Sequence, residues 1–472
     1  MAVKDRISDN LLARIRGGLP MSAGQQLRLT LMLSVPAVLA QLSSIVMQYI
    51  DAAMVGSLGA APAASIGLVS TTTWLFSGTC TAVSIGFSVQ VAHAIGAGDM
   101  ERARSVLRQA IVTVGLFGLL WGCTGMAVSG PLPMWIGGAP EIAGDASKYF
   151  LIYSAFLPVF QIYVLSAGML RSSGNMKIPS MLSVMMCLLD VVFNFFLIFP
   201  SRDIAVLGRT VHVPGAGWGV EGAALGTGLA ELTVAALMLG YLLRRSDYLR
   251  LKGEKGSFRP TRPVLKMAVR IGLPMAVEHT VICGAQIMTT VIVAPLGVFA
   301  IAANSFAVTA ESLCYMPGYG IADAATTLVG QSYGAGRRDL TRQFARITVL
   351  MGMAVMGIMG VVMYLGAPAI MGTMTSDAEV LRLGIQALRI EAWAEPMFAA
   401  SIVAYSVFVG MGNTLAPCLM NFFSIWAVRL SLAWLLAPSM GLAGVWTAMC
   451  IELCFRGLLF IVGLKIVFRK KH

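Results

Sequence analysis

Four polar residues stand in otherwise apolar stretches of this chain: Asp51, Asp190, Asn194 and Thr227. Asp51 is the one carboxylate in the run from Leu29 to Gly98. Asp190 and Asn194 are four apart, so a helix would set them on one face, and Thr227 lies near the middle of a later apolar run. Two carboxylates, an amide and a hydroxyl offer only hard oxygen ligands. That set suits Na⁺ or a shared proton and disfavours soft metals.

Further acids lie in apolar surroundings. Asp51, Asp190, Glu221, Glu231, Glu278, Glu311, Asp323, Glu391, Glu395 and Glu452 all fall within or at the ends of apolar runs, against only three arginines, Arg389, Arg429 and Arg456. A charged carboxylate at mid-bilayer costs a few kcal/mol, so such residues face the protein interior or water and are functional candidates. Glu278 follows Pro274 by four residues, His279 is its neighbour, and Glu391 and Glu395 are expected one turn apart on a helix, where they would raise each other's pKa unless Arg389 or Arg429 compensates. Glu278, His279, Glu391 and Glu395 are candidates for a substrate site or a second coupling site. His93, at the end of an apolar run, reads as a solvated interface residue.

The elements that must position these groups are membrane helices. Hydrophobic residues make up 57% of the 472 and charged residues 12%, against about a quarter charged in soluble domains, and the mean hydropathy is +0.79. Runs such as Gln109 to Pro140 and Ile347 to Ser376 hold the roughly 20 apolar residues a bilayer-crossing helix needs. Twelve spans are expected, near 29–53, 64–92, 107–129, 149–170, 179–200, 217–243, 271–296, 301–329, 345–367, 386–410, 415–437 and 441–464. The organisation is a segment 1–28, a six-helix bundle 29–243, a basic linker 244–270, a second bundle 271–464 and a tail 465–472. The formal charge of +12 is sorted by side: 27 of 34 Lys and Arg fall on the side of the termini and only Lys148, Arg202, Arg209 and Arg382 on the other. By the positive-inside bias both termini are cytoplasmic, and the partners are lipid rather than nucleic acid. The eight cysteines show no paired spacing in an external loop, and no nucleotide loop, metal triad or Ser-His-Asp arrangement is present. Neither an enzyme nor a cofactor is expected.

A shift of 238 residues carries Gly96-Ala97-Gly98 to Gly334-Ala335-Gly336, Pro36 to Pro274, Leu58-Gly59 to Leu296-Gly297, Pro158 to Pro396, Gly174-Asn175 to Gly412-Asn413 and Pro179 to Pro417. The chain is a duplicated unit, a usual way to build a transporter whose pathway lies between two bundles. Gly96, Gly98 and their copies suit helix ends that need a positive φ. The same shift lands Asp51 on Thr289, Asp190 on Val428 and Asn194 on Leu432, so the two halves are expected to act asymmetrically.

Pro36, Gln41, Asp51-Ala52-Ala53-Met54-Val55-Gly56, Gly96-Ala97-Gly98-Asp99, Arg171-Ser172-Ser173-Gly174-Asn175 and Gly222-Ala223-Ala224-Leu225-Gly226-Thr227, in order along the chain, resemble the multidrug and toxic compound extrusion (MATE) family of secondary transporters. The resemblance implies an all-α fold of twelve transmembrane helices in two pseudo-symmetric six-helix bundles. It implies a cation site at Asp51, Asp190, Asn194 and Thr227, with H⁺ or Na⁺ as the coupling ion. Archaeal and DinF-like members usually carry Asn then Asp in the fifth span; here Asp190 precedes Asn194. The implied activity is export of cationic or amphipathic small molecules across the plasma membrane by a monomer. A flippase or metabolite exporter of the wider superfamily is the alternative, and the excess of acids over bases in the spans speaks against a site for anionic headgroups.

Overall fold

The computed structural model describes residues 2–206 and 209–469, without the side chains of 2–6 and 204–211. Residues 470–472 of the expected tail, and the side chain of Arg209, lie outside the described residues. Apolar runs too long for a soluble core form helices because only a helix satisfies its own backbone in lipid. In the first half these are α1 Ala2–Arg16, α2 Ala23–Gly56, α3 Ala60–Gly96, α4 Met100–Val128, α5 Leu132–Trp135, α6 Pro140–Ser172 and α7 Lys177–Ile198. A hairpin of β1 Pro200–Val206 and β2 Arg209–Ala216 follows, and α8 Gly219–Arg245 closes the half. The second half comprises α9 Arg262–Val293, α10 Val298–Gly334, α11 Arg338–Met374, α12 Ala378–Glu391, α13 Glu395–Gly410, α14 Leu415–Phe422, α15 Leu430–Met440 and α16 Leu442–Arg469. Among the described residues ten helices are long and apolar enough to cross a membrane, α14 and α15 counting as one, and the bent pair α12 and α13 makes an eleventh. With α16 the architecture is twelve membrane helices in two bundles of six.

Helix ends carry their own chemistry. Ser22 caps α2 by accepting from the Gln25 amide at 3.3 Å, and Gln25 Oε1 accepts from the Ser22 amide at 3.1 Å. Asp99 caps α4 by accepting from the Arg102 amide at 2.9 Å. Gly98 and its copy Gly336 hold φ of 77° and 70°, as the turn after each helix demands. Gly96 and Gly334 differ from that expectation: both are helical, and they matter for space. A Cβ on Gly96 would overlap the Gln331 carbonyl, and one on Gly334 would overlap the His93 carbonyl. The absent side chains let α3 and α10 cross backbone to backbone, at the end of the molecule that carries both termini.

Other groups seal the same end. Gln331 Nε2 donates to the Ser172 carbonyl at 2.8 Å, Thr327 Oγ1 to the Arg171 carbonyl at 3.1 Å, and Arg171 Nη1 lies 3.2 Å from Asp323 Oδ2. His93 corrects its reading as a solvated residue: its ring is half-buried, and Nε2 stands 2.7 Å from the Gly410 carbonyl of the opposite half. Helix α1, which the sequence reading did not foresee, lies across this junction. Leu11, Leu12 and Ile15 are buried with Leu29 and Met176 of the first half and Leu328, Leu340 and Phe344 of the second. Arg16 donates to the Tyr248 hydroxyl at 2.7 Å, and Arg337 Nη1 donates to the Leu19 carbonyl at 3.1 Å.

Two expected spans depart from a regular α-helix. The span near 386–410 breaks between α12 and α13 with a bend of 59°. Pro396 stands in the first turn of α13; it lacks an amide hydrogen, and its ring would strike the carbonyl one turn earlier, so the helix restarts. Pro158, its repeat partner, is accommodated inside the unbroken α6. The span near 415–437 widens into a π-helical stretch, Phe423–Arg429, between α14 and α15.

Substituting Gly334→Val should force α3 and α10 apart. Overpacking of this kind costs about 1–3 kcal/mol, and the measurable outcome is faster thiol labelling of a cysteine placed at the buried Thr327 in the variant than in its Gly334 parent.

Candidate functional site

Three helices of the first half assemble the predicted quartet. α2 supplies Asp51, α7 supplies Asp190 and Asn194 from one face, and α8 supplies Thr227. Asp190 and Asn194 are wholly buried, and Asp51 is half-buried. The Asn194 amide nitrogen donates to Asp51 Oδ1 at 2.9 Å and to Asp190 Oδ2 at 3.1 Å, so one NH₂ group bridges both acids. Thr227 stands beside Asp190, within reach of its carboxylate. Glycine makes the approach possible, since a Cβ on Gly226 would overlap Asn194 Oδ1. That amide oxygen and Asp190 Oδ1 are buried without a hydrogen-bond partner among the described residues.

The orientation of Asn194 follows from its partners, because only an NH₂ can serve two acceptors. Two ionised carboxylates sharing one amide repel each other, so one positive charge, a proton or a monovalent cation, relieves the cluster. For Na⁺ the available oxygens are those of Asp51, Asp190 and Thr227; the Asn194 oxygen is turned toward Gly226 and would join only if the amide rotated. No cation from Lys or Arg forms an ion pair with either acid among the described residues.

The second half carries no such quartet at the repeat positions. Thr289 Oγ1 donates to the Ala285 carbonyl of its own helix at 2.9 Å, and Val428 and Leu432 offer no ligand. Its acids stand in two other places. Glu278 is buried on α9, where it accepts hydrogen bonds from the Tyr405 hydroxyl, Asn421 Nδ2 and, at 2.9 Å, Cys418 Sγ. His279 packs its ring against Trp74 of the first half with centroids 5.3 Å apart, over Gly78, where a Cβ would meet the ring. It is an inter-half contact, and its Nδ1 is buried without a hydrogen-bond partner among the described residues.

Glu391 and Glu395 form the other place, and the structure corrects their expected setting. They are not one turn apart on a helix; Glu391 ends α12 and Glu395 begins α13 across the break. Both are wholly buried; the Glu391 oxygens have no hydrogen-bond partner among the described residues, and Glu395 has the Cys314 thiol beside it. Of the two arginines expected to compensate, Arg389 is engaged elsewhere, whereas Arg429, though held by Glu452, also faces Glu391 and Glu311. Arg389 lies over the Tyr364 ring at 5.4 Å, and Arg429 pairs with Glu452 through bonds of 2.6 and 2.9 Å. Arg456 Nε stands 3.2 Å from the same Glu452, which also accepts from Ser424. Glu311 of α10 faces Glu391 and Glu395. The structure therefore separates Glu278 with its neutral donors from an acid group of Glu311, Glu391 and Glu395.

Several of these partners escaped the sequence reading. Tyr405, Cys418 and Asn421 are ordinary residues in apolar helices, and nothing in their spacing points to Glu278. Asp323 did carry a signal, being an acid within a span, but its partner Arg171 lies 152 positions away in the other half.

The geometry can be set beside known proteins. The MatE family profile matches residues 36–196 and 274–435, one stretch in each half. A protein of Thermotoga maritima named as a probable multidrug resistance protein NorM is 25% identical over 411 residues, covering 87% of this chain and 86% of its own. A protein of Chromobacterium violaceum with the same name is 26% identical over 455 residues, 93% of each chain. Among solved structures, a MATE transporter of Vibrio cholerae is similar with a TM-score of 0.85 at 19% identity, over 95% of this chain and 98% of that one. An outward-facing multidrug resistance MATE family transporter has a TM-score of 0.85 at 20% identity, over 94% and 96%.

The asymmetry of the halves is measurable. Thr289→Ala removes only a hydroxyl bonded within its own helix and should change stability by less than about 0.5 kcal/mol, leaving substrate transport intact. Asp190→Asn should abolish it. Comparable losses in the two variants, assayed in reconstituted vesicles, would contradict the division.

Proposed function

The chain belongs to the MatE family, and from that premise we propose that it is a secondary active antiporter that exports organic cations or amphipathic drugs in exchange for H⁺ or Na⁺. One observation carries this reading: Asp51 and Asp190 share a single amide, with no basic side chain paired to either. Such a pair takes up a small cation from one side of the membrane and surrenders it on the other. An ion or proton on the acids weakens the hold on a cationic substrate, while substrate favours the ion-free form. The similarity to probable NorM proteins supports a multidrug substrate range.

The termini are assigned to the cytoplasm on the distribution of Lys and Arg. On that assignment the sealed end is the cytoplasmic one, and the arrangement described above is the outward-facing state. Alternating access then requires α3 and α10 to part at Gly96 and Gly334 and α1 to release one half. The membrane is the plasma membrane, and the working unit is the monomer.

Between the two ions, the geometry favours H⁺. A proton needs one carboxylate, whereas a dehydrated Na⁺ needs several converging oxygens, and the Asn194 oxygen is turned away. Glu278, His279, Glu391 and Glu395 are the candidates for a second coupling or substrate site. Buried Glu391, with oxygens unpartnered among the described residues, and its neighbour Glu395, with a thiol beside it, support the coupling role.

Ethidium efflux from vesicles under separately imposed Na⁺ and pH gradients tests the assignment. Asp51→Asn preserves shape and hydrogen bonding while removing the titratable charge; efflux should fall to the level of empty vesicles with the protein still folded, and normal gradient-driven efflux would sink the proposal.

Asn194→Ala and Thr227→Ala should each keep substantial transport driven by a pH gradient. Strict Na⁺ dependence in the parent, lost in both variants, would reverse the choice of ion.

A further inference from the structure

Glu231 is the carboxylate that the quartet leaves out. It lies twelve residues into α8, about 18 Å from the first turn, near the middle of a membrane-crossing helix. Thr227 precedes it by one turn on the same side of α8, so Glu231 sits about 6 Å further along the axis from Thr227 toward the sealed end. The face it occupies is packed rather than lipid-facing: Ala230 and Val234 beside it are buried, whereas Leu232 and Leu237 point outward. Helix α6 is drawn close here, because Gly228 has no side chain to hold off the Phe156 ring.

Among the described residues no hydrogen bond or ion pair reaches the Glu231 carboxylate. The titratable groups that face it are Cys80 from α3, Tyr149, Tyr153 and Tyr163 from α6, and Asp190 from α7. None of these supplies a positive charge. A carboxylate at mid-membrane without a countercharge is held as the neutral acid or awaits a cation. Tyr149 is the side chain that faces Asp51, Asp190 and Glu231 together, and it is half-buried, as are Tyr153, Tyr163 and Glu231 itself. Its hydroxyl can accept one proton while donating another, which a Phe ring cannot do.

We propose that Glu231 is the third proton-holding carboxylate of the first bundle, level with Asp190 and one turn nearer the sealed end than Thr227, receiving the proton that enters at Asp51 and Asp190. In the transfer the Asp190 carboxylic acid loses its proton and becomes a carboxylate, and the Glu231 carboxylate gains it and becomes the neutral acid. Charge and atoms balance without a further reactant, and Tyr149 faces both carboxylates. The inference rests on the exchange reading for its direction, since a proton must travel from the outer end to the termini end. That Glu231 titrates does not depend on which substrate is exported.

Three variants of the full-length protein test it. Glu231→Gln keeps the size and polarity of the side chain but cannot exchange a proton. In a pH step followed by infrared difference spectroscopy, the parent should show a protonated-carboxyl band that Glu231→Gln lacks. In vesicles, Glu231→Gln should lose ethidium transport driven by a pH gradient while keeping ethidium binding and thermal stability. Glu231→Asp should recover transport with a displaced pH profile, and Tyr149→Phe should slow transport while leaving the midpoint of the pH profile in place. An unchanged band pattern in Glu231→Gln, or parental transport with the parental pH profile, overturns the proposal. So does loss of ethidium binding or stability in that variant, which would mark a substrate contact or a structural role. A parent that shows the Glu231 band yet drives no transport under a pH gradient overturns the exchange reading and leaves the titrating residue standing.

Discussion

A carboxylate inside a bilayer is stable only beside something that neutralises it, and the two halves of this chain meet that demand differently. Glu452 has a protein answer, two arginines and a serine converging on one side chain. That arrangement is closed, and it has no use for an external ion. Asp51 and Asp190 share the NH₂ of Asn194 with only the Thr227 hydroxyl beside Asp190, and among the described residues Glu391 has no hydrogen-bond partner while Glu395 has the Cys314 thiol beside it. On the proposed exchange, these open arrangements are the places for a proton or small cation.

The same demand gives meaning to the packing at the termini end. The proposed coupling requires that the acids reach one side of the membrane at a time, so one end must be sealed tightly and reversibly. Backbone contact between α3 and α10, permitted by Gly96 and Gly334, provides the tightness. Reversibility comes from what surrounds it. His93 to the Gly410 carbonyl, Gln331 to the Ser172 carbonyl and Arg171 to Asp323 all join opposite halves through polar bonds that water can replace. Helix α1 adds an apolar strap held by both halves, and its release must accompany opening.

Duplication supplied two copies of one scaffold, and divergence gave them different contents. Pro158 is absorbed in a continuous α6, whereas Pro396 starts α13 after a 59° bend that leaves Glu391 and Glu395 on either side of the break. The π-helical stretch Phe423–Arg429 has a comparable effect, since it ends on the arginine that reaches Glu452. In both cases an irregular backbone in the second half places charge where the first half has none.

The sequence by itself determined the class of the fold, because runs of some 20 apolar residues admit only helices in lipid and a gapless shift of 238 residues admits only a duplication. It also marked Asp51, Asp190, Asn194 and Thr227 as a set, because polar groups are conspicuous where everything nearby is apolar. Its reading of glycine was half complete: Gly98 and Gly336 do hold positive φ, but the crossing at Gly96 and Gly334 depends on a partner helix that no local pattern reveals. Only the tertiary structure decided which way Asn194 points, which acids possess a countercharge, that Glu391 and Glu395 are parted by a break, and that His93 is a joint between halves. Each of these depends on distances between residues far apart in the chain, and side-chain spacing along one helix carries no information about what a second helix brings to meet it.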